Sequence, residues 1–131
     1  MAALNKNRTT RRRETHLNND PVAGGVQIFS GALLVLNTSG FVEPGTTGTG
    51  LRVRGVAQYP SDNRNGIDGA GLIESIRGAH LFKNSGDITR ADIGSSAHIV
   101  DDQTVSANAT GKSLAGRIDD VSADGVWVFI E

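Results

Sequence analysis

The chain has 131 residues, a length that suits one domain, with 37 % hydrophobic and only 5 % aromatic residues. It has no cysteine, which excludes disulfides and thiolate metal sites, and no apolar run near the ~20 residues that a membrane-spanning helix needs. The net charge of −1 hides a segregation, because residues 1–20 carry five basic and two acidic side chains and the remainder carries eight basic and twelve acidic ones.

So thin a core in a chain of this length implies help from oligomerisation or from docking onto something larger. The seventeen glycines follow no collagen-like period and read as turns between short strands.

Residues 1–25, "MAALNKNRTTRRRETHLNNDPVAGG", are polar and show no apolar period. They read as an extended basic arm that cannot fold alone. Leu4 is followed by polar and basic residues rather than an apolar core, so no secretion signal is expected. Lys6, Arg8, Arg11, Arg12 and Arg13 are its candidate partner-binding residues. They could neutralise nucleic-acid phosphates or pair with carboxylates on an acidic protein. The arm holds no aromatic residue on which single-stranded bases could stack.

The body, residues 26–131, begins with "VQIFSGALLVLN", a β-rich stretch with Gly31 at a bend. "GFVEPG" gives a short strand and a turn. "LRVRGVAQ" alternates, with Leu51, Val53 and Gly55 on one side and Arg52, Arg54 and Val56 on the other. "YPSDNRNGIDGAG" is a polar loop, and "LIESIRGAHLFKN" returns to strand. "DITRADIG" fits one helical turn, N-capped by Thr89, with Asp92 three residues on and Gly94 closing it in the left-handed conformation. "AHIV", "TVSAN" and "LAGRIDDV" are further strands. "SADG", with Asp124-Gly125, connects to "VWVFIE" as a hairpin. That last strand is apolar on both faces, so Trp127 or Phe129 needs cover from an arm or a neighbour.

Several stretches resemble chemistry and fail on context. Asp101-Asp102 could be a metal or acid/base pair, but adjacent strand residues point to opposite faces and His16, His80 and His98 have no ligand spacing. Aspartates at turns accept backbone hydrogen bonds, and both this pair and Asp119-Asp120 read that way. "ATGKS" lacks the earlier glycine and the following helix of a phosphate-binding loop. No nucleophile, base and orienting partner can be assembled, so neither catalysis nor a cofactor is expected.

Residues 91–131, "ADIGSSAHIVDDQTVSANATGKSLAGRIDDVSADGVWVFIE", resemble the endings of small cement or decoration proteins of tailed-bacteriophage heads. The likeness lies in Asp92–Gly94, Asp101–Val105, Ala115–Arg117 and Asp124–Val128, and more loosely in "GALLVLN" and "RVRGVAQ". It implies a mainly β body, a small β-barrel or β-tulip, and no catalysis. It also implies synthesis in the host cytoplasm, a place on the capsid surface of the virion, and contact with the major capsid protein and neighbouring copies, often as trimers. Arg52, Arg54, Trp127 and Phe129 are the body's candidate interface residues. The alternatives are a nucleic-acid binder working through the arm, against which the body's net charge of −4 counts, and a tail or fibre component.

Overall fold

Four consecutive apolar residues, Leu33–Leu36, set the plan of the molecule. Side chains along a strand alternate between faces, so this stretch needs apolar neighbours on both sides. The computed structural model, which describes residues 2–131, provides them. Leu33 and Val35 enter one core and Leu34 enters a second.

In chain order the strands are β1 (Leu17–Pro21), β2 (Gln27–Ile28), β3 (Leu33–Leu36), β4 (Val42–Pro44), β5 (Arg52–Ala57) and β6 (Ser61–Asp62). They continue with β7 (Leu72–Ile76), β8 (Gly78–Asn84), β9 (Ser96–Ile99), β10 (Thr104–Ser106), β11 (Leu114–Ser122) and β12 (Gly125–Ile130). A 3-10 turn, Arg90–Asp92, lies between β8 and β9. The body is thus nearly all β, as expected.

The last five strands close into a barrel in the order β10–β8–β12–β11–β9, with β9 returning to β10. Only β8 and β10 run parallel among these neighbours. Its interior holds Phe82, Ala97, Ile99, Val105, Ala115, Ile118, Val121, Val126, Val128 and Ile130. The first part of the chain forms an open sheet ordered β1–β7–β5–β3–β4, plus a ribbon of β2 and β6. Between sheet and ribbon lies the second core, with Val22, Ile28, Leu34, Val42 and Ile73. β3 serves both cores and joins the two parts.

Two expectations are corrected here. The arm does not extend to residue 25. Leu17–Pro21 pairs antiparallel with β7, and Val22 and Ala23 are buried, so the extended part ends at His16. β1 escapes detection because its inward residues are Asn18 and Asp20, both buried. The second correction concerns β5. Against β3, its register passes from Gly55 to Val53 and leaves Arg54 without an opposite residue. Such a bulge switches the side-chain faces. Leu51, Val53 and Val56 therefore all serve the barrel core, whereas strict alternation puts Val56 beside the arginines.

β11 carries two similar register shifts, so Ala115, Ile118 and Val121 are buried at every third position instead of every second. Asp119-Asp120 sits at one of these shifts inside a strand, not at a turn. At Gly116 a Cβ would run into the Phe129 carbonyl, which is why that position carries none. The turn at 89–94 forms as expected: the Asp92 carboxylate accepts the Thr89 N–H at 2.8 Å, and Gly94 has φ 92°.

Candidate functional site

The arm is the least integrated part of the chain. Residues 2–16 belong to no strand and are exposed, including Lys6, Arg8, Arg11, Arg12 and Arg13. None of the three ion pairs among the described residues involves them. At the arm's base, the Arg77 N–H donates to the His16 carbonyl at 2.8 Å. The arm thus leaves the body beside the start of β8.

The four candidate residues of the body have unequal roles. Arg54 is not a free outward group. It donates from Nε and a terminal nitrogen to the two Asp20 oxygens at 2.7 and 2.9 Å. This bidentate bond raises the Arg54 pKa, against the opposing effect of its burial. Asn18 continues the seam, donating to the Arg54 carbonyl and accepting from Arg77. These contacts tie β1 to the sheet and give Arg54 an internal partner. Arg52 is exposed and reaches only the Asn37 carbonyl, at 3.2 Å.

Trp127 stands on the outer face of the barrel, 39 % exposed, directly opposite Leu81, 42 % exposed. Phe129, two residues on, is half-buried beneath the Arg117 guanidinium at 5.3 Å. Val126, Val128 and Ile130 face inward. The outer face of β12 therefore carries an apolar pair: Trp127 stays exposed, and the arm's base, Thr15 and His16, borders a cavity beside Phe129. Leu81 escapes a reading of the sequence because its partner across the strands is known only from the pairing register.

One carboxylate of each acidic pair accepts a backbone N–H. Asp101 accepts the Gln103 N–H at 2.9 Å, and the Thr104 carbonyl accepts from Val100 N–H. The Asp102 carbonyl accepts the Leu33 N–H at 2.8 Å, which joins this turn to β3. Burial, and then the charge of Asp101, push the Asp102 carboxyl pKa up. Asp120 accepts its neighbour Val121 N–H and the Arg90 guanidinium. "ATGKS" runs into β11, a strand, so the helix of a phosphate-binding loop is missing there.

Asp87 organises its surroundings although nothing in the sequence marks it. It accepts from the Ser106 hydroxyl at 2.6 Å, the Ser85 hydroxyl and the Ala107 N–H. These bonds, the Ser106 one foremost, hold its pKa down at about 2. Among the described residues no three His, Asp or Glu side chains converge as a metal donor set, and no helix is long and apolar enough to cross a membrane. No protein family, curated protein or solved structure matches this chain.

Proposed function

We propose that this is a non-enzymatic structural protein of a bacteriophage virion, which binds the outer surface of the capsid and stabilises contacts between major capsid subunits. The observation that carries the reading is an exposed arm, whose five basic side chains form no ion pair among the described residues, together with a closed barrel that exposes Trp127 and Leu81 on its outer face. The resemblance of residues 91–131 to the endings of phage cement proteins supports a head location.

The physics suits the role. A shell under internal pressure resists through its subunit contacts, and a small protein bridging several subunits adds buried area at each junction. An interface of standard size buries about 1,600 Å² in total. An arm that orders on docking costs entropy but covers a wide surface. The basic arm meets acidic faces of the shell or of neighbouring copies, and Trp127 with Leu81 supplies an apolar anchor of the kind that dominates protein interfaces.

The test is co-sedimentation of the purified protein with undecorated heads and with duplex DNA, at low and moderate salt. Saturable binding to heads without DNA binding is expected, weakened by deletion of residues 2–16. DNA binding that falls steeply with salt, with no binding to heads, overturns the proposal in favour of a nucleic-acid binder.

A further inference from the structure

The turn before β3 meets the turn between β9 and β10, and an open cavity of about 210 Å³ lies between them, lined by Phe29, Ser30, Gly31, Ala32, Asp102 and Gln103. Backbone bonds fix both walls. The Leu33 N–H donates to the Asp102 carbonyl at 2.8 Å, and the Gly31 N–H donates to the Ala57 carbonyl at 2.9 Å. On one wall Phe29 is 61 % exposed. On the other, Asp102 is half-buried and forms no ion pair among the described residues. Lys83 meets this turn through its backbone N–H, which donates to the Gln103 carbonyl.

An exposed aromatic ring beside a carboxylate without a cation suits a guanidinium. Its plane stacks on an aromatic face while its N–H groups donate to carboxylate oxygens. Apolar cavities of ~150 Å³ accept benzene, so a guanidinium fits here. The six arginines of the body are already engaged. Arg54, Arg64 and Arg90 form ion pairs, Arg52 and Arg77 donate to Asn37 and Asn18, and Arg117 lies over Phe129. The arginines of the exposed arm form no ion pair, and three of them, Arg11–Arg13, are consecutive.

The arm is rooted where the Arg77 N–H holds the His16 carbonyl, at the start of β8, whereas the cavity lies by Lys83, near its end. Six residues of strand put about 20 Å between those two points. Five residues of fully extended chain carry the backbone of Arg11 about 17 Å from His16 at most. In its own chain the run would therefore have to lie stretched along the outer face of β8, and Leu81 on that path is 42 % exposed. The cavity of a neighbour imposes no such constraint.

We propose that an arginine of the Arg11–Arg13 run of one copy stacks on Phe29 and pairs with Asp102 of a second copy. The proposal rests on the reading of the arm as a partner-binding element and names this chain as its partner. Arm and cavity are different surfaces, so the contact is heterologous, and its repetition gives a closed ring when the rotation permits.

Sedimentation equilibrium of the full chain at low salt tests it. The wild type should associate, and Asp102→Asn should weaken association about tenfold or more. Phe29→Leu keeps the apolar bulk and removes the ring face, and should weaken it severalfold. Exchange of charge identifies the partners. Asp102→Lys protein and a protein carrying Arg11→Glu, Arg12→Glu and Arg13→Glu should each associate poorly alone. Their equimolar mixture should recover association, because opposite charges then meet across copies. The arm variant and Phe29→Leu should melt as the wild type does, since these side chains are exposed. A monomeric wild type, unchanged association of Asp102→Asn and Phe29→Leu, or a mixture that recovers nothing overturns the contact. A protein that forms this contact yet ignores undecorated heads leaves the contact standing and overturns the capsid reading, and saturable head binding by a monomeric protein does the reverse.

Discussion

Removing the Asp20 carboxylate tests whether β1 is held by charge. Asp20 and Arg54 side chains are 12 % and 23 % exposed and meet bidentately at 2.7 and 2.9 Å. Breaking a fully buried pair by removing one partner costs about 3–5 kcal/mol. The residual exposure lets water screen the abandoned charge, which brings the expectation to about 2–3 kcal/mol for Asp20→Asn. Arg54→Met keeps the aliphatic stem and strands Asp20 instead, with a similar loss. The double variant leaves no unpaired charge and should be less destabilised than the two losses added, with a coupling of about 1.5–2 kcal/mol. Urea unfolding followed by circular dichroism measures all three, and hydrogen exchange should show Leu17–Pro21 opening first in the singles. Singles within about 0.5 kcal/mol of wild type, or strict additivity in the double, would refute the reasoning.

Three further outcomes follow from the packing and the titrations. Leu34→Ala empties a fully buried position in the second core and should cost about 2–5 kcal/mol in the same unfolding assay, as should Leu33→Ala on the opposite face of β3. Gly116→Ala forces a Cβ against the Phe129 carbonyl and should lower the melting temperature by several degrees, because β11 and β12 must separate. The two shifted aspartates should act in opposite directions with pH. The depressed pKa of Asp87 stabilises the fold above the unfolded value near 4, and this is lost as pH falls towards about 2. Asp87→Asn should therefore lower the melting temperature at pH 6 and converge with wild type at pH 2. The raised pKa of Asp102 means that its ionisation opposes folding. Asp102→Asn should gain relative stability as pH rises through 4, visible as a melting-temperature difference between pH 3 and pH 7.

Features that close within a few residues are legible in the sequence. Apolar alternation and glycine turns are enough for a β body, because strand faces repeat every two residues. The capped turn at Thr89–Gly94 and the Asp101 turn are legible because each closes its own hydrogen bonds locally. The hairpin at Asp124-Gly125 is legible too, although Ser122 pairs with Gly125 and leaves only Ala123 and Asp124 between the strands.

The tertiary structure decided everything that depends on a distant partner. Asn18 and Asp20 look like tail residues until Arg54, thirty-four positions after Asp20, and Arg77 are folded against them. The bulges at Arg54 and in β11 have no local signature, since an extra residue is defined only by the strand opposite it. The exposed Trp127–Leu81 pair likewise arises from strand register. Sequence alone determined that this chain forms short strands behind a basic segment. Only the fold decided where that segment ends and that Arg54 pairs with Asp20, because charge pairing and strand register act between residues far apart in the chain.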